Sequence, residues 1–327
     1  MRYLITLAPL EAFFFGGDRT FGTLGDKESG SYLVKSRQFP QQSALLGMLK
    51  KEMMIQAGLL TRKLRGEWVD KQNKKEAETL VGDEKFDIDS KIEQNFGKIE
   101  SISPIFLIRD NRRYIKKVDI DSYNYKDGLL EKKNPKKETD KYFTGKDNMY
   151  DNFISIDHNK KLRSSNIFRE VEQVGNRKDA EDNSLFKKTS YQLKYNFKFA
   201  FYFESEFELK DSFITLGGET STFKMSVSKT DDNLDYQDKN GYLTLLSDAF
   251  ITVDIKDKKN CKFAITSEIS FGYLQNRFDD NKRVFKKSKN IFLYEKGSVF
   301  IEQSDELIAD LNNKNLQKIG LNMGSLQ

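Results

Sequence analysis

The stretch YNFKFAFYFESEFEL, Tyr195–Leu209, is the plainest structural statement in the chain. Tyr195, Phe197, Phe199, Phe201, Phe203, Phe207 and Leu209 occupy alternate positions, so an extended backbone sets them on one face. The segment is expected to be a core strand. A polar run, 177–184, lies shortly before it. The aromatic strand is therefore taken to open a second unit. The expected division is 1–190, an N-terminal unit with insertions, and 191–327, a C-terminal unit.

The next informative stretch lies at the other end of the chain. Arg2 to Leu7 alternates as a strand. Leu45, Leu49 and Met53 repeat at helical spacing, with Pro40 near the first turn and Gly58 just past a plausible end. Between them, Ala12 to Gly47 contains a loop far longer than compact domains usually carry. Phe13, Phe14, Phe15 and Phe21 argue that it is ordered. Gly16, Gly17, Gly22, Gly25 and Gly30 allow unusual backbone geometry and close approach to a ligand. Exposed main-chain N–H groups and a following helix N-terminus suit an anion. Arg19, Lys35 and Arg37 add positive charge. Gln41 and Gln42 offer hydrogen bonds to a base or sugar. The competing reading puts the phenylalanines in the core. The glycines match no nucleotide-binding fingerprint.

Between these landmarks, 61–94 is polar, with Trp68 as its anchor. Ile99–Ile108 and Tyr114–Ile120 read as a hairpin turning at Asp110-Asn111. Residues 121–163 are highly charged and read as a partly mobile excursion. A short helix is expected over Ser165–Asn176. After the aromatic strand, Phe213–Gly218 reads as a turn or helix. Thr222–Val227, Tyr242–Val253 and Lys262–Ile269 read as strands. Arg277–Asn290 reads as a basic loop, and Ile291–Ile301 as a hairpin turning at Glu295–Gly297. Ser304 can cap a helix to about Leu311. Two passes of strand, helix, strand, strand, helix, strand fit this order. The expected class is α+β, with two ferredoxin-like (RRM-like) domains and long loop insertions.

Composition narrows the functions. The 327 residues include 26 Phe and 14 Tyr, so burial should be heavily aromatic. The net charge is +5, from 55 basic and 50 acidic residues. Residues 191–327 hold 19 basic and 20 acidic residues, so the positive excess lies in the first 190. One cysteine, Cys261, and one histidine, His158, leave no cysteine-rich zinc site and no histidine-pair metal site. Asp87/Asp89 and Asp119/Asp121 are carboxylate pairs without a supporting cluster, better read as exposed faces. No cofactor or metal is expected. No run is long enough to cross a membrane, and a cytoplasmic location is expected.

Local patterns give the chain a resemblance to the RAMP superfamily of CRISPR effector subunits. Within it the chain resembles the type III-B (Cmr) subunits that hold the 5′ tag of the CRISPR RNA. The patterns are LAPLEAFFFGGDR from Leu7, FPQQ at 39–42 and LLG at 45–47. Further along come VG at 174–175 with LF at 185–186, LGGE at 216–219, GSVF at 297–300 and GLN at 320–322. Thr220, Ser221 and Thr222 stand where the family has basic residues. The resemblance implies a non-catalytic scaffold that grips the CRISPR RNA 5′ tag. It also implies docking to the large polymerase-like subunit and to backbone RAMP subunits, with target RNA met only indirectly. On this reading the RNA-binding residues are Phe15, Gly16, Gly17, Arg19, Lys35, Ser36, Arg37, Gln41, Gln42, Gly217, Gly218, Gly320 and Asn322, and there are no catalytic residues. Basic groups, backbone donors and aromatic faces are what single-stranded RNA requires.

Two other classes stay open. One is a metal-independent endoribonuclease of the same superfamily, using His158 as base or a Tyr–Lys arrangement. The other is a module that docks only proteins. The basic run Lys282, Arg283, Lys286, Lys287 and Lys289 reads as a solvated loop or a contact.

Overall fold

The computed structural model describes residues 1–17, 19–21, 32–60, 63–64, 67–68, 70–83, 85–138, 141–144, 151–176, 185–271, 274–279, 282–287 and 291–325. The aromatic stretch forms the strand Lys198–Ser205. It is shorter than the alternation suggested. Tyr195 and Asn196 both sit at positive φ in a turn, and Tyr195 is exposed. Phe199, Phe201 and Phe203 are fully buried on one face of the strand. Ala200 and Tyr202 are buried on the other, beside Phe106 and Ile115. A strand apolar on both faces must be covered on both.

This strand is central to a nine-stranded sheet. On one side it pairs with Arg2–Pro9, which pairs with Thr222–Lys229 and then Ser212–Thr215. On the other it pairs with Phe106–Arg109, followed by Arg112–Lys116, Asn152–Ser155 and Lys161–Arg163. Ile99–Ile102 also pairs with it. Every one of these pairings is antiparallel. The expected division near residue 190 therefore does not part the sheets. The polar run before the aromatic strand looks like a linker in sequence, but the strand's first partner is the opening strand of the chain.

The helix Gln42–Gln56 lies against the phenylalanine face. Its Leu45, Leu46, Leu49 and Met53 are buried in one cluster with Tyr3, Ile5, Phe199 and Phe201. A second helix, Lys71–Val81, is capped by Asp70, whose carboxylate accepts from Gln72 N–H (2.8 Å) and Asn73 N–H (3.2 Å). Ser304 caps Asp305–Leu311 as expected, accepting from Leu307 N–H at 3.2 Å.

Several local expectations are corrected. Phe168–Asn176 is a strand rather than a helix, laddered along its whole length to Leu185–Leu193. Only Ser164–Ile167 is helical there. That ladder, with Val171 and Val174 in it, outweighs the helical reading of the segment. Leu185–Leu193 also takes Tyr32–Lys35 in parallel, and Arg19–Phe21 follows on its far edge. The excursion is partly built: Tyr123–Lys126 and Leu129–Lys132 form a hairpin whose Tyr123 and Leu130 pack on Ile265, Val299 and Ile301. Ser212–Thr215 is an edge strand. Of the expected 242–253 strand, Leu243–Thr244 forms a short strand, and Leu245 and Ala249 make isolated bridges to Gly324 and Tyr294. Beyond it Ser247 and Asp248 serve the final loop, with Met323 N–H donating to Ser247 Oγ (3.0 Å) and Asn322 N–H to the Asp248 carbonyl (3.1 Å). Leu274–Asp279 and Lys282–Lys287 pair as a hairpin where a loop was expected. Ile291–Tyr294 and Val299–Gln303 are strands but do not pair with each other. The first pairs with Glu268–Phe271, the second with Leu243–Thr244 and Cys261–Ile265. Among the described residues no helix is long and apolar enough to cross a membrane.

Where the hairpin unit meets the sheet, Lys117 is 2% exposed and holds Asp238 at 2.7 Å and Asp121 at 2.8 Å. Burial pushes its ammonium down, but Tyr236 and the two carboxylates outweigh that, and the net direction is up. A lysine raised in this way contributes stability at all pH values below its unfolded range, lost only in strong alkali. Lys117→Met strands a fully buried Asp238 carboxylate, and it should cost about 3–5 kcal/mol at pH 7 in urea denaturation. A destabilisation below about 1 kcal/mol would mean that the pair is solvated.

Candidate functional site

The FFFGG segment is rooted in the core by alternate residues. Phe13 is fully buried and Phe15 is 8% exposed. Both rings pack on Phe199 and Phe223, with centroids 5.3–6.1 Å apart. Main-chain bonds fix the rest. Phe13 and Tyr191 exchange N–H···O bonds (2.8 and 3.0 Å), and Arg37 N–H donates to the Gly16 carbonyl (2.8 Å). Phe15 N–H donates to Ser36 Oγ at 2.9 Å, and that hydroxyl donates to the Arg37 carbonyl at 2.8 Å. Gly17 lies so close to the Lys35 carbonyl that any Cβ there would overlap it.

The LGGE motif meets this loop, although some two hundred residues separate them in sequence. Gly218 N–H donates to the Phe14 carbonyl at 2.7 Å. Gly217 has φ +89°, and a side chain there would strike the same carbonyl. The structure thus brings Phe15, Gly16, Gly17, Lys35, Ser36, Arg37, Gly217 and Gly218 to one place. Lys188 joins them, its ammonium 5.1 Å from the Phe14 ring centroid. Sequence reading passed over Lys188, which is 8% exposed, because a lysine next to buried strand residues carries no local signal of its place. Arg19 sits on Arg19–Phe21, paired opposite Val34, and its side chain lies outside the described residues. Gly22, Gly25 and Gly30 lie outside them too, as do the side chains of Trp68 and of the basic run 282–289.

Other residues expected to meet RNA are turned inward. Phe15 is a core residue, so its ring offers no face to a base. Gln42 is 3% exposed and donates to the Ser103 and Ile319 carbonyls, both at 2.9 Å. Gly320 packs against that same amide. Asn322 is fully buried, with its amide accepting from Phe250 N–H (2.7 Å) and donating to the Phe250 carbonyl (3.0 Å). Gln42 and Gly320 join the final loop to the first helix, and Asn322 joins it to Phe250. Gln41 directly precedes that helix and lines a groove with Ala44, Phe86 and Phe271.

The charges differ in availability. Lys35 Nζ pairs with Glu170 at 2.6 Å with both side chains about half exposed. That hydrogen bond holds the ammonium above its ordinary range. Arg37 donates from Nη2 to the Ser270 carbonyl. The His158 ring lies tilted against Tyr236, centroids 5.0 Å apart, near Lys117, and its Nε2 is 2.9 Å from the Gln237 carbonyl. Tyr236 and Lys117 are one Tyr–Lys arrangement of the kind left open by the sequence, and Lys35 beside Tyr191 is another. Tyr236 is 3% exposed, burial pushes its phenol up to about 12, and Lys117 is held by two carboxylates. Among the described residues no cluster of metal-ligating side chains occurs.

Residues 5–117 match the family model described as CRISPR-associated protein (Cas_Cmr3). No curated protein matches the chain. Among solved structures the chain is similar to one in the cryo-EM structure of the Type III-B Cmr-beta bound to cognate target RNA. The identity is 14%, the match covers 99% of this chain and 96% of that one, and the TM-score is 0.52. It is also similar to a chain of the same assembly bound to cognate target RNA and AMPPnP, at 15% identity, 98% and 95% coverage and TM-score 0.50. At such identities the likeness speaks for the fold, which here is a sheet-dominated α+β fold with few helices. The chain resembles the CRISPR-associated Cas_Cmr3 family in sequence over 5–117, and chains of the Type III-B Cmr-beta structures in fold over nearly its whole length.

Proposed function

We propose that the chain is a non-catalytic RNA-binding scaffold subunit of a type III-B CRISPR effector complex, working in the cytoplasm. It holds the 5′ tag of the CRISPR RNA and docks the large polymerase-like subunit and the backbone RAMP subunits. In this proposal the architecture is two ferredoxin-like, RRM-like halves, 1–190 and 191–327, interleaved through the large sheet rather than joined by a linker.

The observation that carries the reading is the junction of FFFGG with LGGE, where the Gly218 N–H meets the Phe14 carbonyl. Both motifs belong to the family resemblance, and they come together at a glycine surface flanked by Lys35, Arg37 and Lys188. Backbone donors and cations position phosphates without reading bases. The Lys35–Glu170 pair is exposed and worth roughly 0–1 kcal/mol, so a phosphate can take Lys35 over at little cost. Phe15 supports the loop from beneath.

The test is affinity for tag RNA against salt, with melting curves. Arg19→Glu and Arg37→Glu should weaken binding whatever the tag sequence. The log–log salt slope should fall by about 0.7 for each phosphate that a variant no longer neutralises. Phe15→Ala should lower stability by about 3–5 kcal/mol before it touches affinity. Unchanged affinity and slope in both folded arginine variants would place the RNA elsewhere.

The scaffold reading also sets an expectation for the histidine. His158→Ala should leave repeat-RNA integrity as in the wild type and change stability by about 1 kcal/mol or less. Metal-free cleavage by the wild type, abolished in the variant, would make the chain a nuclease.

A further inference from the structure

A cavity of about 340 Å³ lies between the segment Arg37–Phe39 and the turn at Glu295–Lys296. Two cationic groups on its wall, Lys296 and Arg37, make no ion pair among the described residues. Lys296 is 6% exposed, and its ammonium sits 4.3 Å from the Phe39 ring centroid. Two of the three carboxylates on the wall hold other donors. Glu295 is held by Lys116 at 2.5 Å, and Asp248 Oδ1 accepts from the main-chain N–H of Lys296 at 2.9 Å. Burial drives Lys296 below the ordinary lysine range, against the pull of Asp248 and Glu295. Arg37 commits Nη2 to the Ser270 carbonyl, while its Nη1 is buried with no partner. Asp151 completes the charged lining.

Buried cationic donors without acceptors are costly. The cost disappears if a ligand brings several acceptor oxygens and negative charge between two cations on different segments. A tetrahedral phosphate has that form, and the cavity has room for it together with an attached sugar. We propose that this cavity seats one phosphate group, bridging Arg37 Nη1 and Lys296 Nζ. The phosphate can come from the backbone of a single-stranded RNA or from free inorganic phosphate. The site stands whether or not the chain holds a CRISPR RNA tag.

The purified chain, Lys296→Met and Arg37→Met are melted in chloride and in inorganic phosphate at equal ionic strength. Binding of a labelled single-stranded RNA is followed in parallel. In chloride, Lys296→Met should melt no lower than wild type, because the cost of burying this charge outweighs the pull of Asp248 and Glu295. Phosphate should raise the wild-type melting temperature saturably, as expected for a ligand of the folded state. Neither variant should show that rise. If RNA is the source, phosphate competes with it, and Lys296→Met weakens RNA binding and lowers the salt slope by about 0.7. If free phosphate is the source, the melting shift appears and RNA affinity is untouched. Equal melting of the wild type in the two salts, with RNA binding unaffected by Lys296→Met, overturns the proposal.

Discussion

A strand buried on both faces leaves its neighbours little choice. Phe199, Phe201 and Phe203 demand an apolar layer on one side of the sheet, and Ala200 and Tyr202 demand one on the other. Its main-chain groups need partners on both edges, because an unpaired buried N–H or C=O is strongly unfavourable. Arg2–Pro9 supplies one edge, and Phe106–Arg109 with Ile99–Ile102 supplies the other. The first helix and the roots of the FFFGG loop then fill the phenylalanine side. The position of the loop is a consequence of this layer. Phe13 and Phe15 enter it as packing, and Gly16 and Gly17 emerge where the packing ends.

Much of this was legible in the sequence where period and burial agree. The odd-position aromatics, the opening strand and the helix with Leu45, Leu49 and Met53 each had one face to bury. The Ser304 cap was legible because its chemistry is local. Pairing was harder to read. Ile291–Tyr294 and Val299–Gln303 look like two arms of a hairpin, yet each takes a partner from another part of the chain. No local signal distinguishes these outcomes, because Gly297 permits a tight turn and a crossing alike. At the candidate site, the glycines and cations were identified by type. The inward turn of Gln42 and Asn322 was not, because an amide that binds a ligand and one that closes a loop are the same residue. Their partners, Ser103, Ile319 and Phe250, are remote in sequence from at least one of them.

Two buried lysines show how burial alone fails to define a role. Lys117 and Lys296 have similar exposure, 2% and 6%. Lys117 holds two carboxylates within 2.8 Å, and its ammonium is raised. Lys296 has an aromatic face and acids committed to other donors, and its ammonium is lowered. The first arrangement is complete as it stands and ties the hairpin unit to the sheet. The second has capacity left over. In a well-packed interior, leftover hydrogen-bonding capacity is the exception.

The loop itself combines a fixed root with a bare surface. Binding a flexible strand of nucleic acid orders both partners, and each ordered side chain adds to the entropic cost. A loop whose Phe13 and Phe15 are already packed, and whose backbone is bonded to Tyr191, Ser36, Arg37 and Gly218, is ordered there by folding. Its glycine surface adds no rotamers to freeze. The cations around it, Lys35, Arg37 and Lys188, do not themselves present the paired donor–acceptor pattern that distinguishes one base from another. On the scaffold reading such a surface holds a backbone in place tolerantly of sequence. Any preference for particular tag bases must then arise outside this patch, in residues that present both donors and acceptors to a base edge.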